Sequence, residues 1–220
     1  MTVKKLQRFA ELSAFPNTFQ NPAGMKGNWN KLYFKNDHPM TLELACGKGE
    51  YALELARRFP DRNFIGIDIK GARLWRGAKT ALEENLANVA FLRIPIEKIT
   101  EHFASNEIEE IWITFPDPFP RKGKARKRLT SPRFLNLYRQ ILQPDGLVHL
   151  KTDDRNLFEY TKEILRREGC DLQMAIENLY NGQNPDDLLT IKTTYELKHL
   201  QAGKTIKYLS FNMQKIIPPA

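Results

Sequence analysis

The chain has 220 residues, 41% apolar and 27% charged, with 34 Lys and Arg against 26 Asp and Glu for a net charge of +8. That length and composition suit one soluble α/β domain with appendages and exclude a disordered or fibrous protein. No stretch nears the roughly 20 consecutive apolar residues of a membrane span, and the start MTVKKLQRFAELSAF lacks a signal-peptide core, so the cytoplasm is the expected compartment.

Residues 1–39 are polar and broken by Pro16, Pro22, Gly24, Gly27 and Pro39, which predicts a short basic helix and then an irregular arm. From Met40 the pattern is regular, and residues 40–220 are read as the main domain. MTLELA predicts a buried strand, a glycine turn follows, and YALELARRF has helical spacing. NFIGID predicts the second strand, 71–86 a helix, NVAFLRI the third strand and IEEIWITF the fourth. SPRFLNLYRQIL predicts a helix with Ser131 at its N-cap and Pro132 in its first position. GLVHLKT predicts the fifth strand and DRNLFEYTKEILRREG the next helix, while DLQMAIENL and TIKYLSFNM predict two more strands. Alternating strands and helices imply an α/β fold with a mostly parallel, seven-stranded sheet, helices on both faces and an antiparallel C-terminal edge.

Open α/β sheets bind ligands beyond the carboxyl ends of their strands, so the residues after each strand are the ones to examine. After the first comes Glu43-Leu44-Ala45-Cys46-Gly47-Lys48-Gly49, and after the second Asp68, 25 residues beyond Glu43 and placed to accept the hydroxyls of a ribose. The turn is E-x-A-C-G-x-G rather than the G-x-G-x-x-G that cradles a pyrophosphate, and Glu43 would repel phosphate but tolerate a sulfonium or amino group. S-adenosylmethionine therefore fits better than a dinucleotide. After the fourth strand, Thr114-Phe115-Pro116-Asp117-Pro118-Phe119-Pro120 brackets one acid with prolines that stiffen the loop. The next residues, RKGKARKRLTSPR, hold seven basic side chains and no acid, while the other 27 basic residues nearly balance the 26 acids. So local a charge points to a polyanion contact. Cys46 and Cys170 lack the spacing of a zinc site or a disulfide framework, and no metal is expected.

The run Asp117-Pro118-Phe119-Pro120-Arg121, then Lys124 and Arg126-Lys127-Arg128, resembles the D-P-W-P-K-x-x-H-x-K-R-R signature of the bacterial tRNA (guanine-N7-)-methyltransferases. Gly47-Lys48-Gly49 is similar to that family's G-K-G turn, Lys151-Thr152-Asp153 to its K-T-D and Thr193-Thr194-Tyr195-Glu196 to its T-x-Y/F-E. Phe119, Arg121 and Lys124 stand for its usual tryptophan, lysine and histidine, and Asp68 for its more usual glutamate. The similarity runs in order from about residue 21 to 211.

With the oligomeric state open between monomer and homodimer, the resemblance implies a Rossmann-like class I methyltransferase that uses S-adenosylmethionine to methylate N7 of a guanine in the tRNA variable loop. It places the cofactor at Glu43, Asp68 and Asp117; the glycine turn adds Ala45, Gly47 and Gly49, and backbone contacts are expected at Pro95, where Ile94-Pro95-Ile96-Glu97 replaces the family's acid or amide. Arg121, Asp153, Thr193, Thr194, Tyr195 and Glu196 fall at guanine-contacting positions. Thr193 and Glu196 also form a capping-box pattern. Asp117 is expected to act by electrostatic positioning rather than as a base, because N7 already carries a free lone pair. Lys122, Lys124, Arg126, Lys127 and Arg128 would hold tRNA phosphates, helped by Lys4, Lys5 and Arg8. The rival readings are an amino-methyltransferase acting on adenine or cytosine, whose motif also follows the fourth strand, and an RNA-binding module without catalysis.

Overall fold

The computed structural model describes residues 3–181 and 187–215. Helix α1 (Val3–Ala14) and strand β1 (Thr18–Gln20) precede a regular alternation: β2 (Met40–Leu44), α2 (Glu50–Arg58), β3 (Asn63–Ile67), α3 (Gly71–Glu83), β4 (Val89–Arg93), the single turn α4 (Ile99–His102) and β5 (Ile108–Thr114). There follow α5 (Pro132–Tyr138), β6 (Leu142–Thr152), α6 (Arg155–Glu168), β7 (Cys170–Ile176), α7 (Thr194–Gln201) and β8 (Lys207–Lys215). The strands form one sheet in the order β1-β4-β3-β2-β5-β6-β8-β7, parallel except for β8, which runs antiparallel to both its neighbours.

Eight strands stand where the sequence predicts seven. The extra one comes from the arm read as irregular: Thr18–Gln20 pairs in parallel with β4 and covers what would be an open edge. The arm also supplies core. Trp29 is wholly buried, donates its indole N–H to the His102 carbonyl at 2.9 Å and stacks on Phe103. Helix α5 stops at Tyr138, short of the predicted Leu142, and β6 begins at Leu142 rather than Gly146. A register shift between Ile108 and Glu110 on β5 absorbs the intervening turn.

Successive strand residues point to opposite faces. Met40, Leu42 and Leu44 of β2, Ile111 and Ile113 of β5, and Val148 and Leu150 of β6 pack under α5 and α6. The other face meets α1, α2 and α3 through residues such as Phe91, Trp112 and Tyr208. The alternate positions of β2, β5 and β6 on that second face include Glu43, Thr114 and Lys151, which lie near the carboxyl ends of their strands. Buried polar groups thus gather at one rim. None of the described helices is long and apolar enough to cross a membrane.

Candidate active site

The chain runs β2-β3-β4 outward on one side of β2 and β5-β6 on the other, so the connections diverge between β2 and β5. A crevice is expected at such a switch point. A cavity of about 450 Å³ opens there, walled by Glu43, Ala45, Gly47, Asp68, Pro95, Asp117, Thr193 and Tyr195 among others. Most residues singled out in the first four strand-end segments therefore converge.

The floor is built by the turn after β2. Ala45 takes a left-handed φ of 55° and Gly47 one of 59°. A Cβ on Gly47 would meet no protein atom within 4 Å, so the backbone there faces open space where a ligand can approach closely. Asp68 fixes this turn: its carboxylate accepts from the Gly47 amide at 2.9 Å and the Lys70 amide at 2.7 Å. Two oxygens so held keep spare lone pairs for a diol, which is what a ribose needs. Gly49 has a different task. It caps α2 with φ 66° outside the cavity wall, and a Cβ would stand 2.3 Å from the Phe91 ring. Packing against Phe91 therefore requires glycine here.

Glu43 is buried and accepts from the Ala52 amide at 3.0 Å and the Thr114 hydroxyl at 2.9 Å. Burial raises its pKa to about 8, with the nearby Glu50 and Asp68 carboxylates adding to the effect against those two hydrogen bonds. A neutral acid waiting in such a place favours any cation brought beside it. The residues thus fit S-adenosylmethionine: a diol acceptor, a close-approach glycine, and a buried acid that a positive charge would ionise.

Past β5 the backbone is forced. Phe115 and Phe119 have φ of 49° and 42°, a conformation few non-glycine residues adopt. With Ala45, three such residues line one cavity. Between the two phenylalanines, Asp117 is exposed at the rim, flanked by Pro116 and Pro118. Strain of this kind persists only where the surroundings over-determine it, and Arg128 shows how. Read in sequence as one more phosphate-binding cation, Arg128 is instead buried. Its guanidinium donates to the Pro118 and Phe119 carbonyls at 3.0 and 3.1 Å and lies 4.2 Å from the Tyr160 ring centroid. It clamps the Asp117 loop.

Lys122–Lys127 winds into a 3-10 helix. Its cations Lys122, Lys124, Arg126 and Lys127 lie at the surface, as does Arg121 just before it. Among the described residues no acid lies within ion-pair distance of any of them, and Lys127 reaches the cavity wall. Arg121 does not line that cavity. Of the N-terminal helpers, Lys4 and Lys5 fall in α1, and the Arg8 guanidinium is 4.8 Å from the Trp75 ring.

The 193–196 stretch divides its labour. Thr193 accepts the Glu196 amide at 3.2 Å as the N-cap of α7 and lines the cavity, so capping and site residue coincide. Thr194 turns away and sends its amide and hydroxyl to Glu50. Tyr195 stands at the rim, half exposed. Glu196, expected to bind guanine, is 0% exposed: it takes the Lys151 ammonium at 2.8 Å and the Tyr180 hydroxyl at 2.6 Å. Both its oxygens are spent inside the protein. Lys151, also 0% exposed, further donates to the Leu189 and Ile191 carbonyls at 3.1 and 2.9 Å. Burial lowers its pKa, opposed by Glu196, while burial and Glu196 hold the Tyr180 phenol well above its usual range. Sequence reading missed Lys151 as a buried structural cation. The available signal was its place: a lone lysine in the apolar run GLVHLKT requires a buried partner. Asp153 is likewise engaged, by Lys204 and by His199 at 3.3 Å, and lies outside the cavity wall. His199 stacks on Phe115, so Asp153 supports the wall from behind.

Known proteins resemble this chain in sequence and in fold. A family profile described as "Putative methyltransferase" matches residues 37–209. A protein of Christiangramia forsetii named tRNA (guanine-N(7)-)-methyltransferase is 50% identical over 96% of this chain and 98% of its own. Proteins of the same name from Bacteroides thetaiotaomicron and Brevibacillus brevis are 46% and 36% identical, over 97% and 90% of this chain and 87% and 91% of theirs. Among solved structures, the 16S rRNA methyltransferase KamB superposes with a TM-score of 0.62 at 14% identity, covering 84% of this chain and 92% of that one. A 16S rRNA (adenine(1408)-N(1))-methyltransferase variant solved with cosubstrate SAM gives 0.63 at 15%, covering 90% and 98%. At such identities these structures speak for the fold, that of the class I methyltransferases. With half the sequence shared with the Christiangramia forsetii protein along nearly its whole length, the chain belongs to the tRNA (guanine-N(7)-)-methyltransferase family.

Proposed function

We propose that the protein transfers a methyl group from S-adenosylmethionine to N7 of a guanine in tRNA, at the variable-loop position that the family resemblance implies, and so works in the cytoplasm. The observation that carries this reading is the convergence of Asp117 with Glu43, Gly47 and Asp68 on one cavity, beside exposed cations that have no acidic partner among the described residues. When bound, the cofactor supplies an electrophilic methyl on a cationic sulfonium.

Glu43 and Asp68 would hold it, one as counter-charge and the other through the ribose hydroxyls, with the Pro95 backbone along the adenine side. N7 of neutral guanine carries an in-plane lone pair, so no residue has to remove a proton from it. Catalysis then rests on orientation and on charge placed where positive charge grows on the base. Asp117 serves that role, held by the proline frame and the Arg128 clamp. Tyr195 and Phe119 present rings on which a splayed base can stack, and the Thr193 hydroxyl offers an acceptor and donor beside it. Lys122, Lys124, Arg126 and Lys127 are suited to phosphates by exposure and charge. Arg121 stands with them rather than in the base pocket.

The test is labelled-methyl transfer to bulk tRNA followed by mass-spectrometric mapping of the modified nucleoside. N7-methylguanosine is expected, with Asp117→Ala reducing the rate at saturating ligands on the order of a hundredfold or more. Methyl on an exocyclic amine of adenine or cytosine would establish the amino-methyltransferase reading. Binding of tRNA without transfer would establish a non-catalytic module.

A further inference from the structure

Two parts of the cavity wall come from distant stretches of chain: the 45–50 turn that would carry the cofactor and the 193–195 stretch that would meet the base. One residue ties them. Glu50, first in α2 and itself in the wall, accepts the Thr194 hydroxyl on Oε1 and the Thr194 amide on Oε2. Lys48, from the same turn, lies 3.6 Å from Glu50. Helix α2 touches the roof elsewhere, through Tyr51 to the Leu188 carbonyl and Arg58 to that of Asp187. Those contacts fasten the base of the segment; among the hydrogen bonds of the described residues, Glu50 alone grips the part that faces the cavity.

The 193–196 stretch has other anchors: Lys151 of β6 holds Glu196, and Thr193 caps α7. Glu50, by contrast, is 30% exposed and sits at the junction of two ligand subsites. A carboxylate accepting two hydrogen bonds transmits a shift of its own backbone to both atoms it holds.

Building on the methyl-transfer reading, we propose that Glu50 is a positioning residue that couples the two subsites. Filling the cofactor turn fixes Glu50, and Glu50 through Thr194 fixes Thr193 and Tyr195 for the nucleobase. Cofactor and tRNA then bind cooperatively, and by linkage each strengthens the other by the same factor.

Titration of the full chain with S-adenosylhomocysteine, alone and with saturating bulk tRNA, and the reciprocal tRNA titration, measure this factor. An enhancement on the order of tenfold is expected in the wild type. It should fall to near one in Glu50→Ala and to an intermediate value in Thr194→Val, which keeps the amide bond, and in Glu50→Gln, which keeps one acceptor. Thr194 lies outside the cavity wall, so Thr194→Val serves if Glu50→Ala does not fold. A wild-type factor of one, undiminished coupling in the variants, or equal loss of both affinities with their ratio intact would each overturn the proposal. No binding of either ligand would instead defeat the functional reading beneath it.

Discussion

The substitution Glu43→Gln turns the unusual acidity of this residue into a measurable slope. The folded state holds its proton up to about pH 8, whereas the unfolded chain releases it near the ordinary value of 4.5. Between those limits the folded protein binds the extra proton, so stability falls as pH rises, and the fall stops once pH passes the folded value. At roughly 1.4 kcal/mol per pH unit, and allowing for half-titration near pH 8, this group alone removes roughly 2 kcal/mol between pH 6 and 8. The introduced amide mimics the neutral acid: its carbonyl can accept the Ala52 amide and its NH₂ can donate to Thr114. Thermal unfolding of the two proteins should therefore diverge from pH 6 to pH 8, with the variant gaining roughly 4–8 °C relative to wild type. Calorimetry supplies the second arm. Cofactor binding at pH 7 should release about one proton in the wild type and none in the variant, read from buffers of different ionisation enthalpy. Parallel pH profiles, or equal proton release, would show that Glu43 is already ionised and the reasoning wrong.

Three further perturbations separate the parts of the site. Lys151→Met leaves Glu196 buried without its cation and should cost about 3–5 kcal/mol in urea denaturation, part of which Lys151→Met with Glu196→Gln should recover. Asp68→Asn should weaken S-adenosylhomocysteine binding by roughly 1.5–3 kcal/mol by titration calorimetry while leaving tRNA affinity nearly unchanged. Replacing Lys122, Lys124 and Arg126 by Ala should leave cofactor affinity intact and flatten the salt dependence of tRNA binding by a log–log slope of about 2–3, measured by filter binding.

The strands of the parallel sheet are legible because both faces are buried, which makes each a short apolar run between turns. The cavity is legible too, since strand ends fix where Glu43, Asp68 and Asp117 must meet. Strand β1 is not: TFQ carries almost no pattern, and what makes it a strand is the vacant edge of β4, far along the chain. Arg128 looks like its neighbours in RKGKARKR, and only the Tyr160 ring and two carbonyls of a strained loop distinguish it. The burial of Glu196 is hidden for a related reason. Its spacing from Thr193 suggests an exposed cap partner, and the lysine that draws it inward lies 45 residues away.

The short pairing of Thr18–Gln20 with β4 carries a practical consequence. A truncated protein starting at Met40 would keep every residue of the cavity wall, yet it would bare a row of unpaired amides and carbonyls and strip the indole of Trp29 from the hydrophobic layer. Such a fragment is a seed for sheet-to-sheet association between molecules. Its failure in solution would then be colloidal before it was catalytic.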